Sequence, residues 1–290
     1  MPKLYVIGNG FDLLHDLPTK YEHFYRFAEE LLDEISEFYN LTISNGGLWK
    51  DFENDLGKFS WRSFYSTHNH IDVTAENFKP SMLYCLQDDL ENESDDHVAS
   101  IRSRFEEWIN DIDISVAKKT MDICFESRYL SFNYTSTLQH VYKIDPKQIL
   151  HIHGNAQNYD DLIFGHGITI EKEPDFDEDG EPTRTPFSDA EGASMYPLYA
   201  LQKPVEELLR QHEDFFQSLS YVDNVIVIGH SLSPVDLPYF KRIAECAQNA
   251  VWTFYYYNPS LVEEFREKLI ECGICSSKIE LRSHLELVKK

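Results

Sequence analysis

Apolar positions follow two periods along this chain. Leu4, Tyr5, Val6 and Ile7 form a short continuous apolar run stopped by Gly8, the pattern of a strand buried on both faces. Between residues 21 and 38 the period changes. Phe24, Phe27, Leu31, Ile35 and Phe38 recur at helical spacing with acids between them. Residues 44–47 break that helix, and 49–59 and 75–90 read as further helices. Residues 95–124 predict a long helical stretch with Ile101, Phe105, Trp108, Ile109 and Ile112 on one side. Strand character returns at 129–132 and 148–152, with 162–164 as a candidate fourth strand. A helical run at 205–219 precedes the fully apolar 225–228, as in the middle of a covered parallel sheet. Residues 234–248 predict a helix with a proline in its first turn, where a missing N–H costs little. Then follow a strand at 251–257, a helix at 259–271 and an edge strand at 279–281.

Strands alternating with helices imply an α/β fold, a doubly wound and mainly parallel sheet. The helices of residues 21–124 read as an inserted helical layer. With no repeat and no low-complexity linker, residues 1–290 are expected to form one domain. Residues 155–200 carry few periodic apolar positions, and 171–191 hold nine acids against Lys172 and Arg184. They predict an acidic surface loop or lid. Its segment from Asp175 to Gly180 imitates the start of a calcium-binding loop, but Pro186 stands where a bidentate Glu is required.

Composition narrows the partners. The net charge is -24, with 26 Lys+Arg against 50 Asp+Glu. Such a surface repels phosphate backbones and anionic membranes, so no direct nucleic-acid partner and no membrane are expected. A small nucleotide remains compatible, because backbone amides can hold it locally. No apolar run is long enough to span a bilayer. Cys85, Cys124, Cys246, Cys272 and Cys275 are scattered and odd in number, which fits a reduced cytoplasmic protein. Cys272 and Cys275 have CxxC spacing but follow a helical run, so two ordinary thiols are the expected reading.

Four motifs fall at expected strand ends, where open α/β sheets bind ligands. Gly8-Asn9-Gly10-Phe11-Asp12 permits a tight turn and a close phosphate. Leu13 replaces the third glycine of the dinucleotide fingerprint, and no GK[ST] follows. Asn133, in Phe132-Asn133-Tyr134-Thr135, offers a donor and an acceptor to a ligand, or a cap to a following helix. His151 and His153, before Gly154, alternate onto one strand face. They are candidates for catalysis, for sugar contact, for a structural role, or, with His166 and His230, for a metal. Gly229-His230-Ser231-Leu232-Ser233-Pro234-Val235-Asp236 opens a helix after an apolar strand and is a second candidate anion turn. It also imitates a nucleophile elbow, with Ser233 in place of the last glycine and His284 as the late histidine.

Taken together, the motifs resemble the AbiH family of bacterial abortive phage-infection proteins. The resemblance rests on Ile7-Gly8-Asn9-Gly10-Phe11-Asp12-Leu13, then Leu17-Pro18-Thr19-Lys20-Tyr21 and Trp49-x-x-Phe52-Glu53. It continues through Asn133 and His153 and their neighbours, Phe164-Gly165-His166-Gly167, and Gly229 to Leu232 with Asp236. Asp16 departs from it, standing where the family is expected to carry glycine. AbiH proteins in turn resemble sirtuin-type NAD-consuming domains. That likeness implies a sirtuin-like sheet binding NAD, with Gly8, Asn9, Gly10, Phe11 and Asp12 as one nucleotide turn. Gly229, His230, Ser231 and Asp236 would form the second. Asn133, His153 and Asp12 are the implied catalytic residues for hydrolysing the nicotinamide glycosidic bond, and no metal is implied. A carboxylate, Asp12 or Asp236, would offset positive charge on the ribose. The competing functions are a non-catalytic nucleotide sensor, a partner subunit of a defence system, and a metal-dependent hydrolase. A homo-oligomer or a defence-system partner protein remains open.

Overall fold

The computed structural model describes residues 2–41, 49–171, 174 and 176–287. Its elements begin with β1 (Lys3–Ile7), α1 (Asn9–Leu13), α2 (Tyr21–Phe27), α3 (Glu29–Ile35), α4 (Phe52–Leu56), α5 (Trp61–His68) and α6 (Ser81–Asp111). Next come β2 (Arg128–Ser131), α7 (Thr137–Tyr142), β3 (Ile149–His151), α8 (Ser188–Ala200), α9 (Val205–Gln211) and α10 (Glu213–Gln217). The chain ends through β4 (Asn224–Ile228), α11 (Leu237–Cys246), β5 (Val251–Tyr256), α12 (Val262–Glu271) and β6 (Ile279–Ser283).

The six strands form one sheet in the order β3-β2-β1-β4-β5-β6. Every pairing is parallel, so the expected doubly wound α/β fold is present and the sheet is wholly parallel. Alternation along β1 divides the core. Leu4 and Val6 pack with Val225, Val227, Trp252 and Phe254 beneath Phe216, Tyr239, Phe240 and Phe265. Tyr5 and Ile7 face the other way, onto Phe11, Leu138 and Tyr142 of α1 and α7. Both faces are therefore covered, which is why Leu4–Ile7 of β1 and Val225–Ile228 of β4 read as unbroken apolar runs. The chain order reverses between β1 and β4, so the turns after these two strands lie at the topological switch point.

Two compact units emerge: residues 1–23, 106–163 and 204–290, which hold the sheet, and residues 24–105 with 164–203. In the second, the rings of Phe24, Phe52, Phe105 and Phe164 pack together, with centroids 4.7 Å apart for Phe24–Phe52 and 4.2 Å for Phe105–Phe164. Lys203 Nζ donates to Glu53 at 2.8 Å, with the Lys203 side chain 1% exposed. Gly57 and His166 touch so closely that a Cβ on Gly57 would sit 3.1 Å from His166 Cβ. The Glu53 and His166 motifs thus serve the packing of this unit.

Several element boundaries differ from the sequence reading. The predicted helices 75–90 and 95–124 are one 31-residue helix, α6, which begins just after Pro80 and ends at Asp111. Residues 162–164 make no strand, although Leu162 and Phe164 are buried and Ile163 N donates to His153 O at 2.9 Å. The stretch expected as an acidic loop contains α8, 13 residues long, with Ala190, Ser194, Pro197 and Leu198 buried. Small and polar buried residues gave it no apolar stripe to read. The break at 44–47 and Asp175 lie outside the described residues.

Asp16 takes φ 60°, the left-handed region that favours glycine. Its departure from the family pattern therefore has a backbone cost. Asp16→Gly is expected to stabilise the chain by about 0.5–1 kcal/mol. A urea midpoint at or below wild type would contradict this.

Candidate functional site

The glycines of the two switch-point turns are explained by each other. A Cβ on Gly8 would stand 2.6 Å from His230 Cα, and one on Gly10 would stand 2.7 Å from Gly229 Cα. Gly229 has φ 73°, and a Cβ there would run into Phe11 N. The turns are also hydrogen-bonded: Gly8 N donates to Ile228 O at 3.0 Å and Gly10 N to Gly229 O at 2.8 Å. Phe11 N donates to Gly8 O at 2.9 Å. These three amides are already engaged, and the Phe11 side chain is buried in the core. Asn9 is exposed, and its side-chain amide donates to Thr19 O at 2.7 Å, tying the start of α1 to the segment before α2. Ser231 is also exposed, while its neighbour Leu232 is buried at φ 53°. That strained backbone sits beside the polar cluster described next.

Asp12, delivered by α1, is 1% exposed. Its Oδ2 accepts from Thr135 Oγ1 at 2.6 Å, and Thr135 in turn lies 3.0 Å from Thr137 Oγ1. Its Oδ1 is buried without a hydrogen-bond partner. Burial pushes the carboxyl pKa up to about 6, against the opposing pull of Thr135, Thr137 and Asn133. Asn133 follows β2. Its main chain is fixed, with N–H on Ser131 Oγ at 3.2 Å and C=O on His151 Nδ1 at 3.1 Å. Both atoms of its side-chain amide are buried and make no hydrogen bond, although the group lies near enough to influence Asp12. A buried donor and acceptor left open together are costly unless something binds them.

The two histidines of the third motif part company. β3 ends at His151 and the chain turns, so they do not share a strand face as alternation predicted. His151 Nε2 receives Gln139 Nε2 at 2.8 Å and Asn155 Nδ2 at 3.0 Å, while its Nδ1 donates to Asn133 O. Burial lowers its pKa, and this neutral ring holds the loop in place. His153 is 2% exposed among Phe132, Tyr134 and Tyr239, with ring centroids 5.3, 6.2 and 5.9 Å away. Its Nε2 lies 3.9 Å from Asp236 Oδ1. That is too long for a hydrogen bond but close enough for charge to act. Gly154 is required by the Asp161 carbonyl, which occupies the place of its Cβ. The close approach there comes from the protein's own loop.

Asp236 has a second histidine on its other oxygen, His230 Nε2 at 3.5 Å. Leu232 N donates to His230 Nδ1 at 2.9 Å, which leaves the ring proton on Nε2, facing Asp236. A carboxylate flanked by two imidazoles can orient either ring and stabilise it when protonated. Asp12, Asn133, His153, His230 and Asp236 therefore all stand at the carboxyl end of the sheet, within the unit that contains it. Sequence reasoning missed Thr135 and Thr137 as the partners of Asp12. Their signal was two hydroxyls at i and i+2 just past a strand.

Among the described residues no three His, Cys, Asp or Glu side chains cluster as metal ligands. His166 donates to Leu198 O at 2.9 Å, and His284 Nδ1 donates to Tyr256 O at 3.2 Å. Cys272 and Cys275 are free, the first buried with its pKa pushed up to about 11. Among the described residues no helix is long and apolar enough to cross a membrane.

A parallel doubly wound sheet with a buried polar cluster at its switch point defines an α/β protein of the kind that holds small ligands beyond its strand ends. The family model described as Bacteriophage abortive infection AbiH matches residues 4–256, and the chain belongs to that family. Comparisons with curated proteins and with solved structures found no match.

Proposed function

We propose that this AbiH-family chain acts in the cytoplasm during abortive phage infection by binding NAD at its switch point and hydrolysing the nicotinamide glycosidic bond. The observation that carries this reading is the Asn133 amide, buried with both donor and acceptor open beside a carboxyl of raised pKa. A carboxamide or a ribose hydroxyl satisfies such a group in both senses. Asp12, with a pKa of about 6, can hold or release a proton near neutral pH and oppose positive charge on the ribose. His153, within reach of the Asp236 charge, is the base for a ribose hydroxyl or the attacking water. Contact with phosphates falls to the outer side of the two turns, since their inner backbones are packed together.

A second reading, a sensor that binds the nucleotide without cleaving it, is favoured by closure. Asp12, Asn133, His153, His230 and Asp236 are each 7% exposed or less. Nucleotide profiling of phage-infected cells separates the two. The hydrolase predicts loss of NAD with release of nicotinamide. Intact NAD in cells that are nonetheless protected would reject hydrolysis and leave sensing.

A further inference from the structure

The opposite end of the sheet carries a second polar concentration, of the other sign. Lys3 opens β1, Arg128 opens β2, and Lys147 and Gln148 immediately precede β3. Because β3, β2 and β1 are adjacent and in register, Leu4 beside Arg128 and Tyr129 beside Ile149, these residues share one edge. They line a cleft of about 380 Å³ together with Ser127 and Tyr221, with Glu126 as its one acid. That volume falls within the range of small-ligand sites.

Three features make it more than a charged surface. Among the described residues none of Lys3, Arg128 or Lys147 forms an ion pair, in a protein with a net charge of -24. Arg128 is held in place instead by the Phe215 face, 5.1 Å from its guanidinium carbon. Ser127 is 5% exposed, and its Oγ makes no hydrogen bond to nitrogen or oxygen, with the Cys124 thiol as a neighbour. Gln148 Nε2 donates to Phe125 O at 2.7 Å and Ser127 O at 3.1 Å, which fixes the loop bearing that hydroxyl. Tyr221 presents a 54% exposed ring beside the cations. Cations with an exposed aromatic face beside them suit a phosphate attached to a planar base.

We propose that this cleft binds a nucleoside monophosphate, with the phosphate on Lys3, Arg128 and Lys147 and the base against Tyr221. The site is distinct from the cluster at the carboxyl ends of the strands. The attraction is electrostatic and open to solvent, so it weakens as salt rises.

The test is calorimetric titration of the full chain carrying Asn133→Ala, which removes the open amide of the other cluster. AMP, inorganic phosphate and adenosine are the probes. AMP is expected to bind more tightly than phosphate, with adenosine weakest. Lys3→Gln with Lys147→Gln should weaken AMP by about tenfold or more, as expected for lost charged contacts. Tyr221→Ala should weaken AMP severalfold and leave phosphate unchanged. No AMP binding at millimolar concentration, adenosine equal to AMP, or unchanged affinity in the folded double-lysine variant would each overturn the site. Phosphate equal to AMP would overturn the role of Tyr221.

Discussion

On the proposed hydrolase reading, His153→Ala is expected to abolish both NAD cleavage and phage protection in a chain that still folds and still binds nucleotide. His153 is the ring that Asp236 faces at 3.9 Å, among Phe132, Tyr134 and Tyr239. Removing a positioned base lowers a rate by about 10²–10⁴-fold, whereas the lost burial of one ring costs only a few kcal/mol of stability. His153→Gln keeps most of the volume and serves as the second variant should the alanine form fold poorly. His151→Ala is the contrast. That ring bonds Gln139, Asn155 and Asn133 O, so its loss should lower the melting temperature and disturb activity only through Asn133. Protection that survives in a folded His153→Gln chain would remove His153 from the mechanism. Protection lost with NAD untouched in wild type would move the whole cluster to sensing.

Gly229→Ala is expected to be strongly destabilising. The residue sits at φ 73°, which costs an L-residue roughly 1–2 kcal/mol. Its new methyl would also meet Phe11 N and lie 2.7 Å from Gly10 Cα, and these are backbone atoms that cannot rotate away. To relieve the clash the two turns must separate, and the bond from Gly10 N to Gly229 O is lost with them. A total of about 3 kcal/mol or more follows, comparable to a large share of a domain's stability. Gly180→Ala isolates the steric part. Gly180 has φ 82° but nothing within 4 Å of its Cβ position, so only the backbone cost remains. If urea unfolding showed equal losses for the two variants, the packing of turn on turn would not be what the glycines serve.

The raised pKa of Asp12 yields a pH prediction of smaller size. Its folded value of about 6 lies above the ordinary 3.8, so folding favours the protonated form. That contribution is complete below about pH 4 and is lost as pH rises through 6. Asp12→Asn removes it. Between pH 5 and pH 8 wild type should therefore lose on the order of 1–2 kcal/mol more stability than Asp12→Asn, by denaturant titration. Parallel curves would mean that Asp12 titrates normally.

The parts of the fold that could be read in the sequence are those whose signal is local. β1 and β4 were visible as apolar runs because a central parallel strand is buried on both faces, so nearly every position must be apolar. Membership of the AbiH family was visible because the motifs keep their order at strand ends. Helix α8 was not visible, since Ser194 and Pro197 are buried positions that carry no hydrophobic period. The roles within the motifs were equally hidden. A glycine is silent about whether a phosphate or another stretch of backbone takes the place of its Cβ.

By itself, then, the sequence determined a doubly wound α/β protein of the AbiH family with its motifs at strand ends. Periodicity and motif order are properties of neighbours in the chain. Only the tertiary structure decided that Gly8 and Gly10 are packed on Gly229 and His230. It alone brought Thr135 to Asp12, 123 residues away, and turned His153 toward Asp236 while leaving His151 to its loop. These contacts join strands far apart in sequence, and the parallel order of the sheet, which no local pattern encodes, brings their ends together.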